Sequence, residues 1–303
     1  MNTQSNAVPE ALSQAQAVAP TVLSPTRPLY WSIRRELWEN RSIYIAPLAV
    51  AAVALLGFLI ATMGRAFSTS DLAVRRAVLE EPYEFASGLI MVTAMLVAIF
   101  YCLDSLYAER RDRSILFWKS LPVSDLTTVL AKASIPYFVL PVFTIAVLFV
   151  TESVMLMLST LALSASGLPV RPLWAEVMLL FLSISYHMIT VHVLWHSPLY
   201  GWLMLVSSWA KKAPFLWAIL PVVVVVTLER IAFNSTRFLG WLQYRLSGPD
   251  EFQFPGPHTV PAHVMMHMNL VKFLSTPGLW FGLLLTAAFL AAAVRVRRYR
   301  GPV

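Results

Sequence analysis

Long apolar runs separated by short charged segments dominate the chain. A helix needs roughly 20 apolar residues to cross a hydrocarbon layer about 30 Å thick, because each residue advances it by about 1.5 Å. Six runs qualify, so the pattern predicts an all-α integral membrane protein with six transmembrane helices. The predicted spans cover residues 44–63, 85–103, 133–158, 174–195, 213–228 and 279–294.

The polar stretches complete the predicted architecture. Residues 1–28 are rich in Gln, Ser, Ala and Pro, which predicts a disordered cytoplasmic tail, so residues 29–303 form a single membrane domain. Residues 29–41 alternate aromatic and charged positions, which predicts an amphipathic elbow helix in the membrane interface, or alternatively an extension of the first span. Residues 202–209 are interpreted as a short cytoplasmic-side helix, and residues 229–277, broken by Pro and Gly, as segments resting on the outer leaflet.

Composition and charge support this topology. Hydrophobic residues make up 58% of the 303 residues and charged residues only 13%, which excludes an ordinary soluble domain. Lys and Arg are roughly twice as frequent on the side that carries both termini, so the positive-inside rule predicts a multi-pass protein with cytoplasmic termini. The net charge of +7 then suits anionic lipid headgroups, and nucleic-acid binding is not expected because the cations do not form one patch.

The loop between the second and third spans is the most informative segment. Five charged residues are followed directly by a short apolar surface, and Pro122 ends that element before Ser124 or Asp125 can cap the next helix. Such a segment can dock a cytosolic partner, or it can be an ordinary charged loop with a Trp anchored among headgroups. The candidate docking residues are Glu109, Arg110, Arg111, Asp112, Arg113, Ile115, Phe117, Trp118 and Lys119.

This loop sequence, ERRDRSILFWKSLPVSD, resembles the first cytoplasmic loop of type-2 ATP-binding cassette (ABC) transporter permeases. Residues 194–229 also resemble a bacterial branch of that family. The resemblance implies a permease of the cell inner membrane, an exporter by the commoner direction in the family, that pairs with a cytosolic ABC ATPase and with a second permease copy or paralogue. It also implies that a short coupling helix over Ile115–Ser120 passes motion to the spans.

Motifs for chemistry within the chain itself are missing from the sequence. A classical P-loop requires a Gly-Lys pair, and no Gly is followed by Lys. Hydrolase and zinc signatures are also missing, so no catalytic residue is assigned. We therefore expect no enzyme activity and no cofactor in this chain, with ATP and Mg²⁺ held by the partner ATPase.

Polar residues within the spans are candidates for a translocation path. They are Glu152, His187 and His192, because ionisable groups in a membrane are costly and commonly functional. The three histidines His187, His192 and His196 also permit a metal site. Against a metal site, we expect imidazoles that form hydrogen bonds within the bundle, or that lie at the cytoplasmic end, where His196 would reach water. His263 and His267 stand among methionines that could bind a soft metal, but we predict no metal site.

Two other functions remain open on sequence grounds. An intramembrane enzyme using His187, His192 or Glu152 predicts activity without any ATPase. A non-transporting scaffold or sensor subunit predicts that ATP hydrolysis changes signalling but moves no solute. The cargo, the direction of transport and the choice between homodimer and heterodimer are not encoded in any motif.

Overall fold

The computed structural model describes residues 26–61, 72–121, 123–165, 170–248 and 269–301. Within these ranges the regular elements are all helices. Most of the predicted tail, the linker before the second span and the histidine–methionine segment around His263 and His267 lie outside the described residues. The elements are α1 (Thr26–Glu39), α2 (Ser42–Ala61), α3 (Leu72–Ser105), α4 (Tyr107–Arg111), α5 (Ile115–Ser120), α6 (Asp125–Ser134), the π-helical turn π1 (Ile135–Val139), α7 (Leu140–Ala165), α8 (Arg171–His187), the π-helical turn π2 (Met188–Trp195), α9 (Ser197–Trp209), α10 (Pro214–Phe233), α11 (Arg237–Ser247), α12 (Leu270–Leu274) and α13 (Pro277–Tyr299).

Six helical segments are long and apolar enough to cross a membrane, which confirms the predicted number of spans and the multi-pass character. Their apolar side chains need no polar partner, and their backbone groups are satisfied within each helix. The six are Ser42–Ala61, Pro82–Arg111, Asp125–Ser164, Leu173–Trp195, Pro214–Phe233 and Pro277–Tyr299.

The third spanning segment is the longest, with 40 residues. Ser124 caps its start by accepting a hydrogen bond from the Thr127 N–H at 3.0 Å, as the sequence predicts. Pro136 lies at the start of π1 and has no N–H to donate. The wider π-helical turn accommodates its ring and the lost hydrogen bond. At about 1.5 Å per residue, 40 residues give about 60 Å of helix, so the segment extends beyond the hydrocarbon layer.

Buried apolar side chains form four clusters among the described residues, and three of them are successive layers along the first four spans. The layer nearest α1 includes Ile43, Cys102, Val129, Met204 and Ala293. The middle layer includes Ala51, Ile90, Leu148, Ile184 and Met188. The layer farthest from α1 includes Phe58, Tyr83, Met155, Leu163 and Leu173. The first four spans therefore run alternately up and down, and each contributes to successive layers.

The helix α9 continues the path of the fourth span after a turn at His196 and packs along α13. Close contact depends on Gly201, where an added Cβ would lie 3.3 Å from Phe289 Cβ and 3.4 Å from Thr286 Cα. Small residues allow helix backbones to approach closely in membranes. The predicted short helix over residues 202–209 is thus part of a longer helix, α9. Near its end, Ser207 is hydrogen-bonded to Leu106 after α3, and at its start Ser197 is hydrogen-bonded to Thr286 in α13.

Candidate functional site

The loop between α3 and α6 is fixed to α9 at its first turn. The hydroxyl of Ser207 accepts hydrogen bonds from the backbone N–H groups of Leu106 and Tyr107, at 3.0 and 2.9 Å. The buried guanidinium of Arg110 donates to the Ser208 carbonyl at 2.6 Å. These bonds satisfy backbone groups at the α3–α4 junction and hold α4 against the bundle.

A buried network of charged side chains, which we call the ionic cluster, lies under the loop. It joins α1, α4, α6 and α13, and it contains three carboxylates and three cations, so its formal charge is zero. Its members are Arg35, Glu36, Glu109, Asp125, Lys132 and Arg297.

Glu109 is the centre of the ionic cluster. Its carboxylate lies 3.1 Å from Arg35 Nη2 and 3.2 Å from Lys132 Nζ, and its other oxygen accepts a hydrogen bond from Arg297. Lys132 Nζ also lies 2.7 Å from Glu36, whose other oxygen accepts a hydrogen bond from the Tyr101 hydroxyl at 2.8 Å. Because buried ions lose their hydration, such a network is stable only when each charge is paired.

The short helix α5 has one side attached to this cluster. Ile115 is fully buried, and the guanidinium of Arg35 lies over the Trp118 ring, 3.5 Å from its centroid. Lys119 Nζ donates to the carbonyls of Arg298 and Arg300, at 3.4 and 3.2 Å. The helix therefore contacts both α1 and the end of α13.

The opposite side of the segment is open. The side chains of Leu116 and Phe117 are 59% and 60% exposed, and the charged tip is exposed as well. The tip consists of Arg111, Asp112 and Arg113, where Arg113 adopts a left-handed conformation. The nine candidate residues thus split: Glu109, Arg110, Ile115 and Trp118 face inward, and Arg111, Asp112, Arg113, Phe117 and Lys119 are exposed.

The sequence interpretation missed the other members of this site. Arg35, Glu36, Lys132 and Arg297 entered it only as charges at span ends or on the predicted elbow. The sequence did contain an indication for Lys132, because this charged residue lies between the apolar residues Val129 and Ala133, which are both buried on α6. Leu116 belongs to the predicted apolar surface of the loop, although it was not among the candidate docking residues, and it is exposed beside Phe117.

Glu152 occupies a separate polar site within the third span. It is 3% exposed, and its carboxyl accepts a hydrogen bond from the Ser87 hydroxyl at 2.8 Å. The second carboxyl oxygen has no hydrogen-bond partner among the described residues. A second hydrogen bond joins the same two spans, between the hydroxyl groups of Tyr83 and Ser159, which lie 3.0 Å apart.

The three histidines lie close together at the end of α8 and in π2. The ring centroids of His187 and His192 are 6.1 Å apart, and those of His192 and His196 are 5.7 Å apart. Of the two expectations for His196, the hydrogen bond within the bundle is found: its Nε2 donates to the Leu246 carbonyl at 2.9 Å. The ring is buried and does not reach water, because α11 packs over the turn. Among the described residues, no group of three or more metal-ligating side chains could hold a metal ion.

Two further carboxylates have structural roles. Glu229 caps α11 by accepting hydrogen bonds from the backbone N–H groups of Arg237 and Phe238, each at 2.9 Å. Asp104 lies 3.7 Å from Arg111 at the exposed start of the loop.

Similarity to known proteins identifies no relative of this chain. No family model, no curated protein and no solved structure matches it. A functional assignment therefore depends on the contacts described above and on the resemblance of the loop sequence.

Proposed function

We propose that this chain is the membrane-spanning permease subunit of an ABC transporter, driven by a separate cytosolic ATPase. The observation that carries the proposal is the two-sided construction of residues 109–120. Inward side chains join the ionic cluster, whereas Leu116 and Phe117 are exposed on the opposite side. Exposed aromatic side chains beside arginines are typical contact points of protein interfaces.

The ionic cluster gives this segment a mechanical connection to the spans. Glu109 contacts Lys132 at the base of the third span, Arg297 at the end of the sixth and Arg35 on α1. Packed and ion-paired elements move together because separating them leaves charges unpaired. Displacement of α5 by a bound partner would therefore displace α1 and two spans.

The remaining parts of the transporter follow from this proposal. The ATPase holds ATP and Mg²⁺, and ATP binding drives alternating access in a path formed with a second permease copy or paralogue. Glu152, His187 and His192 are the candidate residues of that path. The termini and the loop face the cytoplasm of an inner membrane, where the exposed Arg111 and Arg113 orient the partner by charge.

Co-purification with candidate cytosolic ABC ATPases from the same organism, beginning with any that is encoded next to this gene, tests the proposal. A double variant, Leu116→Ala with Phe117→Ala, removes the exposed apolar surface without touching the ionic cluster. We expect association to fall about tenfold or more, the effect of losing an interface hot spot. The matched control is Trp38→Ala, which removes a 69% exposed aromatic side chain from α1.

The result that would contradict the proposal is equal ATPase recovery with the double variant and with the Trp38→Ala control. Arg111→Glu provides a second test, because reversal of an exposed charge slows association without changing the fold. The Leu116→Ala/Phe117→Ala double variant and Arg111→Glu should both keep the thermal stability of the original chain.

No structural observation favours the intramembrane enzyme. Among the described residues, Glu152 is hydrogen-bonded to Ser87, whereas the His192 ring lies near other imidazoles. No hydrogen bond joins the two groups among the described residues, as an acid–base pair would require.

A further inference from the structure

Unsatisfied buried polar atoms are concentrated around π2. Among the described residues, eight such atoms belong to side chains in α8, π2, the turn after it and α11. Buried polar groups normally have a partner, so this concentration of unpaired donors and acceptors requires an explanation. The residues are Ser185, Tyr186, His192, Trp195, His196 and Arg245.

Five of these residues form one connected group, which we call the donor cluster. The guanidinium of Arg245 lies over the Trp195 ring, 4.4 Å from its centroid. Tyr186 packs against the apolar group that contains Trp195, Arg245 lies near the His196 ring, and that ring lies 5.7 Å from the His192 ring. The His192 ring also has a backbone group of Met91 as a polar neighbour. π-Helical turns such as π2 are frequent at functional sites.

Arg245 is the charged member of the donor cluster. Most side chains of α11 are exposed, but Arg245 is 7% exposed, and its Nε and Nη2 have no hydrogen-bond partner among the described residues. Burial lowers the pKa of the guanidinium from its ordinary value, yet an arginine keeps its charge in a protein. A buried charge without a counter-charge is strongly unfavourable.

Space for the guanidinium is provided by a glycine in α13. An added Cβ at Gly282 would lie 1.4 Å from Arg245 Nη2, so the arginine occupies the volume that any side chain there would fill. Trp195 contacts the same helix one turn earlier, where a Cβ at Gly278 would lie 3.3 Å from its ring. The start of α13 therefore fixes the direction in which Arg245 points.

We propose that the donor cluster binds an oxyanion of the phosphate type, with Arg245 as its counter-charge and Tyr186 and Trp195 as further donors. A phosphate offers several acceptor oxygens, and a guanidinium matches them with a planar fork. A metal cation is disfavoured because the positively charged Arg245 lies near the His196 imidazole. The phosphate belongs to a lipid headgroup or is free in solution, since both present the same group.

This inference does not depend on the proposed transporter. The donor cluster lies at the start of α13, whereas the ionic cluster involves Arg297 near its end. Binding can therefore be measured on the purified chain without any ATPase.

Lipid retention measured by native mass spectrometry tests the proposal. The purified chain is exposed to equal amounts of phosphatidylglycerol and of diacylglycerol, which lacks the phosphate group, and a parallel sample receives radiolabelled inorganic phosphate. We expect a preference for the anionic lipid or binding of free phosphate, and Arg245→Gln should reduce whichever occurs about tenfold or more. The matched control is Arg237→Gln, an exposed arginine on the same helix, which should change neither.

Gly282→Ala provides a second variant with unchanged charge. Its methyl group displaces the guanidinium, so binding should fall as in Arg245→Gln, and this variant decides the question if Arg245→Gln does not fold. Equal binding by the original chain and both variants would overturn the proposal. A gain in thermal stability of Arg245→Gln, with no change in binding, would also overturn it by showing an unpaired charge without a ligand.

Discussion

The guanidinium of Arg35 lies 3.5 Å from the centroid of the Trp118 ring, so α1 and α5 share a cation–π contact. The same arginine also contacts Glu109 and Glu39. Arg35 therefore links the N-terminal helix, the loop and the ionic cluster through one side chain. Its position explains how a loop with an exposed tip is held in one orientation.

Loss of this contact should loosen α5 without removing its exposed surface. We expect Trp118→Ala to raise hydrogen exchange in residues 115–120, because a cation–π contact contributes about 0.5–2 kcal/mol. Leu116→Ala, which removes an exposed side chain from the same helix, is the matched control and should leave exchange nearly unchanged. Equal exchange in the two variants would contradict the anchoring role of Trp118.

Removal of the central carboxylate should destabilise the whole bundle. Glu109→Gln leaves Lys132 and Arg297 with reduced counter-charge in a buried site, which costs about 3–5 kcal/mol. Denaturant titration of the purified protein in detergent measures this loss. Asp112→Asn removes an exposed carboxylate from the same loop and should change stability by less than about 0.5 kcal/mol.

The pair of Glu36 and Lys132 should show strong coupling in a double-mutant cycle. Each single variant, Glu36→Leu or Lys132→Met, leaves a buried charge less well paired, since the two groups lie 2.7 Å apart. The double variant should recover at least about 1 kcal/mol relative to the sum of the singles. Additive effects in the same denaturant assay would show that the two charges are compensated independently.

Packing between α9 and α13 should depend on Gly201. Gly201→Val places a branched side chain where even a Cβ lies 3.3 Å from Phe289, so we expect a loss of about 1–3 kcal/mol from overpacking. Gly57→Val is the control, because no atom lies within 4 Å of a Cβ at Gly57. Thermal melting of both variants measures the difference, and similar melting temperatures would refute tight packing at Gly201.

The amino-acid sequence alone determined the number of spans, because bilayer thickness sets a minimum apolar length that each run must meet. Local chemistry also sufficed for the cap at Ser124, since a cap is formed by residues three apart. The loop at residues 109–120 was located for the same reason, as its charged and apolar parts are contiguous.

Only the tertiary structure decided how distant charges pair. Glu36, Glu109, Lys132 and Arg297 lie far apart in the chain, and one sequence carries no information on which helices pack together. The same reason hid the burial of His196 and of Arg245, which depends on α11 folding back over π2. Apolar periodicity cannot separate lipid-facing from protein-facing side chains in a span, because both surroundings favour the same residues.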